Sequence, residues 1–498
     1  QDVIFTFGTV TKFVVLNPVD GTVDNPIPIT VQAQDQHGNL NLNYNGSVGF
    51  VLSGSAVGSG LITFASGVAI QNITDAVSET VIISLTDTLA TGKNVSSTQN
   101  VVFASGTVTQ FAIINPIDGT VDGPVTVTVE ARDQYGNKNI TYNSDVTLNA
   151  NGGATGGGLV DIVNGAGTRN ISSTLAQTVN LTLSDTQSTG LAVSSTQDLV
   201  FASGVVTKFV IINPADGTVD SPIPVTVQAQ DQFGNINTLF TQDVTLTADN
   251  GATGGGIVDI VNGVGSRSIS KQILGLVNLG LVDTQGTGKT VTSVQDVYFN
   301  YGVATKFVII DPTDGTVDAP ISVTVQAQDQ YGNINVAYEN DVILNVSGSA
   351  TGGGLVNITG GVGTRNISDA VSETVTLSLA GGSLTTTSTQ NVVFGAGVVT
   401  QFVILNPVDG TTDNPIAVTV EAIDQFGNMN LNYSTDVSLV VSGSATGAGL
   451  VNIQNGQGSL NIADLVAETV NLSLSDTQST GKDVSSVQNV IFAVGVPN

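Results

Sequence analysis

A chain of 498 residues with 58 glycines, no cysteine, no tryptophan and 12 Lys and Arg against 40 Asp and Glu excludes more than it identifies. The net charge of −28 comes from a scarcity of bases, so nothing here could neutralise a phosphate backbone, and nucleic acid is excluded as a partner. With no Cys and with His37 as its one histidine, the chain cannot assemble a Ser-His-Asp triad or a His/Cys zinc site, and it is read as a non-enzyme.

The first element, QDVIFTFG within residues 1–9, matches QNVVFASG from Gln99 and QNVIFAVG from Gln488. It reads as the last strand of a preceding repeat or as a donor strand for a neighbouring molecule. From Val10 the phrase VTKFVVLNPVDGTVDNPIPITVQAQDQHGNLN begins, and it returns in recognisable form at Val108, Val206, Ala304 and Val399, with spacings of 98, 98, 98 and 95 residues. The shortfall falls where LAGGSLTTTSTQ replaces LSDTQSTGLAVSSTQ, so it is a loop deletion that spares the strands. The expected units are therefore residues 10–107, 108–205, 206–303, 304–398 and 399–498.

Within the first unit, Ile27, Ile29, Val31 and Ala33 alternate with Pro28, Thr30, Gln32 and Gln34, the period-two pattern of a strand with one buried face. Val81, Ile83 and Leu85 repeat it. Seven strands are predicted, over 11–16, 27–34, 47–52, 61–64, 67–73, 79–86 and 98–104, and Asp20-Gly21 and Gly38-Asn39 supply turns between them. Seven short strands in one such unit have the size and rhythm of an immunoglobulin-like sandwich. The fold class is all-β: five tandem seven-stranded immunoglobulin-like β-sandwiches in a linear rod, each adding roughly 35–40 Å from strand rise plus loops.

Three stretches, VTVQAQDQxGN, GVxxxNI and AETVxLSLSD, carry a resemblance to the bacterial immunoglobulin-like repeats of large surface adhesins and invasin-type stalk proteins, and it covers nearly the whole chain. The resemblance implies a spacer or adhesive role and calcium at the joints between repeats.

Three aspartates recur in every unit, and they can be turn formers or ligands. Asp20 and Asp35 lie at opposite poles of one sandwich, roughly 25 Å apart by strand rise, and cannot share an ion. Stacking end to end brings the far pole of one repeat to the near pole of the next. The expected clusters are Asp20 and Asp24 with Asp133, Asp118 and Asp122 with Asp231, Asp216 and Asp220 with Asp329, and Asp314 and Asp318 with Asp424. Three carboxylates in close quarters call for a hard cation, and Ca²⁺ with 6–8 oxygen ligands is the candidate.

Among the rest, SGSATGGGLV lacks the following helix and the Lys of a phosphate loop, and it reads as a strand connection. His37 and its counterparts Tyr135, Phe233, Tyr331 and Phe426 are expected to pack as turn residues, and Tyr44, Tyr142, Phe240, Tyr338 and Tyr433 to anchor the core. No apolar run reaches the roughly 18–20 residues needed to cross a bilayer. The functional expectation is an extracellular stalk or filament segment of a prokaryotic surface protein. Its partners would be further repeats or neighbouring copies in a fibre, with a glycan- or protein-binding adhesin module as the alternative.

Overall fold

A computed structural model describes residues 6–495. The first repeat contains β1 (Lys12–Val15), β2 (Gly21–Thr22), β3 (Ile27–Gln34), β4 (Ser47–Leu52), β5 (Gly60–Thr63), β6 (Val68–Ile73), β7 (Thr80–Thr86) and β8 (Thr98–Ala104). The same eight elements recur in each repeat, and none of the described residues is helical. The unit exceeds the expected seven strands by β2. Gly21 and Thr22, which read as turn in the sequence, run parallel to Phe103 and Ala104 and move the chain from one sheet to the other.

One sheet has the order β1-β3-β6 and the other β2-β8-β7-β4-β5. Apart from the β2–β8 pair, the ladders of the repeat are antiparallel. This is a two-sheet immunoglobulin-like sandwich whose opening strand is split between the sheets. Register follows the hydrophobic alternation: β3 places Ile27, Ile29, Val31 and Ala33 inward, all buried, against the inward residues of β7 and β8. A one-residue slip would turn every one of them to solvent, which is why a pattern this regular specifies pairing.

Each repeat has its own apolar cluster, and no cluster crosses from one repeat to the next. Phe13 and its counterparts stand at the centre. Tyr44, Tyr142, Phe240, Tyr338 and Tyr433 pack on them with ring centroids 5.4–5.7 Å apart. In the fourth repeat the shortened loop turns through Gly381 and Gly382, at φ 72° and 78°, and still delivers Thr385 to its bridge with Lys306. The other repeats span this gap with an aspartate, such as Asp87, that accepts the N–H groups of Thr91 and Gly92.

Residues 1–5 of the expected opening strand lie outside the described residues, and residues 6–10 belong to no strand. From Gly8 onward the segment meets the near pole of the first repeat, with its N–H donated to Asp35 at 2.9 Å.

Candidate functional site at the joints between repeats

Since the cores are separate, whatever couples the repeats must sit in the connectors, Ser105–Thr107 in the first case, and in the loops that flank them. Every described hydrogen bond between repeats joins consecutive ones. Asp133 opens the DQxGN turn of the second repeat and is fully buried. Its carboxylate accepts the N–H of Gly106 at 2.8 Å and the N–H groups of Tyr135 and Asn137 at 2.9 Å. Burial opposes ionisation, but the Gly106 N–H, the Asn137 side chain and the two turn N–H groups outweigh it and hold the carboxyl below its ordinary range. Asp231, Asp329 and Asp424 are held down by the same balance. Asp35 is held well below its ordinary range as well, by the Gly8 N–H first and the Asn39 amide second.

Asp24 approaches the same connector from the upstream repeat. Its carboxylate accepts the N–H of Thr107 at 2.7 Å and the amide of Gln134 at 3.4 Å. A Cβ on Gly106 would overlap Asp24 Oδ1, so any larger residue there must push that carboxylate aside. Gly204, Gly302 and Gly397 are constrained likewise by Asp122, Asp220 and Asp318.

Asn137 then bridges the two repeats. Its amide donates to Ala76 C=O and its carbonyl accepts the N–H of Ser78, both at 2.9 Å. Asn235, Asn333 and Asn428 make the same pair of bonds onto Thr174 and Ala176, Gln272 and Leu274, and Ala370 and Ser372. Asn139 completes the clasp by donating to Gly106 C=O at 2.8 Å.

The expected metal clusters differ from this arrangement. Asp24 and Asp133 do meet across the joint, on either side of Gly106. Asp20 does not join them: it accepts the N–H of Val102, as Asp118, Asp216 and Asp314 accept those of Val200, Tyr298 and Val393. Among the described residues no group of three or more His, Cys, Asp or Glu side chains could hold a metal. The carboxylate lone pairs already face N–H donors, whereas Ca²⁺ requires a shell of oxygens, so these residues as placed do not fit the ion.

The DQxGN aromatics also differ from expectation. Tyr135, Phe233, Tyr331 and Phe426 are 51%, 44%, 42% and 48% exposed. Phe233, Tyr331 and Phe426 line clefts shared with the loop that carries Asp122, Asp220 or Asp318 of the preceding repeat. Position within a turn hid this, since the ring projects from the turn toward the neighbouring repeat and not into its own core.

A further group escaped the sequence reading. In repeats 1, 4 and 5 a buried aspartate, a half-buried glutamate and a serine converge beneath the loop that Asn137 or Asn428 grips, or its counterpart in repeat 5. They are Asp75, Glu79 and Ser55; Asp369, Glu373 and Ser349; and Asp464, Glu468 and Ser444. Repeat 2 has Ser173, Gln177 and Gly153 at these positions, and repeat 3 has Lys271, Gly275 and Gly251. The three positions change together from repeat to repeat, a signal available in the sequence.

No protein-family model matches the chain, and no curated protein matches it. Among solved structures it is similar to FdeC, an Escherichia coli adhesin, with 14% identity, coverage of 58% of this chain and 99% of that one, and a TM-score of 0.34. It is similar also to invasin, a bacterial integrin-binding protein, at 16% identity over 92% of this chain and 98% of that one, with a TM-score of 0.31. Domains 4–9 of the surface layer protein SbsC share 17% identity over 98% of this chain and 82% of that one, with a TM-score of 0.20. The immunoglobulin-like assignment rests on the strand order and register described above.

Proposed function

We propose that the chain is a structural stalk or filament segment at a prokaryotic cell surface, and that its working part is the joint. The carrying observation is that one clasp, an aspartate from each side of a connector glycine plus a bridging asparagine, is built four times with the same partners. A connector whose N–H and C=O groups are bonded to both flanking repeats loses the rotational freedom of a flexible linker, so bending is resisted at each joint. Small-angle scattering of the chain tests this. The expected result is an extended particle of roughly 180–200 Å, from strand rise plus loops. Replacing Asn137, Asn235, Asn333 and Asn428 together by Ala should broaden the distance distribution, and an unchanged distribution would remove the clasp from the account.

A second reading, a glycan- or protein-binding adhesin module, is favoured by the half-exposed aromatics at the joints. A sugar ring stacks on an aromatic face, and Phe426 shares its cleft with Asp318, Ser349 and Asp369. Binding to a glycan array that is lost in Phe426→Ala together with Tyr331→Ala would establish it.

A further inference from the structure

The loop that each bridging asparagine grips is braced from within at joints 1–2, 2–3 and 4–5. Its first residue turns a side-chain oxygen back onto the loop: Asp75 accepts the N–H of Val77 at 2.9 Å, Ser173 that of Leu175 at 3.1 Å and Asp369 that of Val371 at 3.0 Å. The residue four positions on ties the loop to the neighbouring turn. Glu79 and Glu373 accept the N–H groups of Ser55 and Ser349 at 2.6 and 2.7 Å, and Gln177 donates to Gly152 C=O at 2.9 Å. Local bonds of this kind fix the backbone of a short loop, so the asparagine meets a target that holds still.

Repeat 3 has neither brace. Lys271 stands at the first position, and an ammonium donates but cannot accept, so among the described hydrogen bonds the Ile273 N–H has no partner. Gly275 stands at the fifth position with no side chain to offer, at φ 136°. Lys271 and Asn250 both donate to Leu276 C=O, at 3.3 and 3.2 Å, so they hold the strand Gly275–Val282 and not the loop before it.

The difference carries across joint 3–4. Asn333 still donates to Gln272 C=O at 2.8 Å, but its carbonyl stands 3.3 Å from the Leu274 nitrogen, where the equivalent bonds onto Ser78, Ala176 and Ser372 are 2.9 Å. That distance lies past the usual N–H···O range. Ile273 is 70% exposed, against 45%, 54% and 45% for Val77, Leu175 and Val371 at the same position. The cleft between this loop and Tyr331 measures about 420 Å³, and those beside Phe233 and Phe426 about 280 and 340 Å³.

We propose that joint 3–4 is a hinge built into the rod, the place where it bends before it bends at any other joint. The connector itself stays anchored there, because Asp329 accepts the N–H of Gly302 at 2.9 Å and Asp220 that of Val303 at 2.6 Å. What yields is the outer grip of Asn333, which stands off the connector and so resists rotation about it. A loop with a glycine at its end, exposed side chains and few local bonds opens at small free-energy cost, and an asparagine that holds such a loop passes little bending resistance from one repeat to the next. Sideways load is then taken up at one joint and not shared among four. The inference rests on the clasped joints being the stiffening element of the stalk, as proposed above.

The chain has no cysteine, so spin labels can be placed in pairs on the full chain without background. Ser194, Thr292 and Thr387 are exposed and equivalent, each two residues past the bridge to the first strand of its repeat. Ser194→Cys with Thr292→Cys spans joint 2–3, and Thr292→Cys with Thr387→Cys spans joint 3–4. Dipolar distance distributions should be wider across joint 3–4. Equally narrow distributions overturn the hinge and leave the stiff joints standing, whereas equally broad ones overturn the hinge and the stiffness of the clasp together. Lys271→Ser, Gly275→Gln and Asn250→Gly, which give repeat 3 the residues of repeat 2, should narrow joint 3–4. Gly275 sits at a φ that side chains rarely adopt, so the reverse exchange, Ser173→Lys with Gln177→Gly, is the second set should the first not fold. It should widen joint 2–3 toward the width of joint 3–4, with melting followed to show that repeat 2 stays folded. A joint 2–3 left as narrow as before by that exchange overturns the inference.

Discussion

The joint between repeats 2 and 3 and the joint between repeats 4 and 5 are built on the same clasp over different foundations. Both bury an aspartate on a connector N–H, Asp231 on Gly204 and Asp424 on Gly397, each at 2.8 Å. Both use an asparagine, Asn235 or Asn428, to grip the upstream loop. Beneath that loop, joint 2–3 has the neutral pair Ser173 and Gln177, joint 4–5 the acidic pair Asp369 and Glu373. The clasp is thus the part held constant, because most of its hydrogen bonds satisfy backbone groups of the connector, the turn and the gripped loop. The layer below can vary, because it needs only internal hydrogen-bond balance. Backbone satisfaction constrains a joint more tightly than charge does.

The comparison breaks most visibly if the shared part is removed. Asp231→Ala orphans the buried N–H of Gly204 and the half-buried N–H groups of Phe233 and Asn235. Each unmade buried bond costs about 1–3 kcal/mol, so repeat 3 should lose roughly 3 kcal/mol or more. Denaturant unfolding should show one repeat melting early while the others hold, since their cores are separate. Asp424→Ala should act alike on repeat 5, and a large difference between the two would mean that the foundation matters to the clasp.

Acid should reach every joint in the same way. Asp133, Asp231, Asp329 and Asp424 are held below their ordinary values. Their contribution is therefore complete above the unfolded value and disappears as pH falls through the folded one. Scattering below the ordinary carboxylate range should report bending at all four joints together.

A smaller effect is expected at the connector glycine. Gly204→Ala drives a methyl into Asp122 Oδ1 and must push that carboxylate off the Val205 N–H. The loss should be about 1–2 kcal/mol, the worth of one charge-assisted bond and some strain. Gly123→Ala, next to Asp122 in the upstream loop of the same joint, has no atom within 4 Å of the new methyl. It serves as the control, with a change within about 0.5 kcal/mol.

Strand pairing was readable in the sequence because burial and alternation are local: β3 announces its inward face in eight consecutive residues. The repeat was readable because it is written five times. What escaped depended on partners far apart in the chain. Gly21–Thr22 is too short to show a period and becomes a strand only because Phe103 and Ala104 lie alongside. Asn137 looks like any turn asparagine until the loop at 76–78 meets it, 59 to 61 positions away. Asp20 and Asp24 are equally plausible in the sequence as ligands or acceptors, since a carboxylate meets a cation or an N–H with the same lone pairs. Only the backbone that comes to lie beside each, Val102 at Asp20 and Thr107 at Asp24, decides the matter.

Removal of calcium should therefore have the least effect of all. At joint 1–2 the Asp133 oxygens accept from Gly106, Tyr135 and Asn137, and Asp24 accepts from Thr107 and Gln134. A divalent ion placed between them would meet N–H hydrogens where it needs oxygen lone pairs, and the connector would have to leave both carboxylates before a shell could form. Asp20 could not come to its aid without releasing Val102. A chelator titration of the full chain, followed by melting and by scattering, is expected to change neither. Asp133→Ala should loosen the joint whether or not chelator is present. If chelation did soften the native chain and Asp133→Ala abolished that response, the carboxylates would be ligands first and amide acceptors second, and the clasp would describe a resting arrangement that the ion rebuilds.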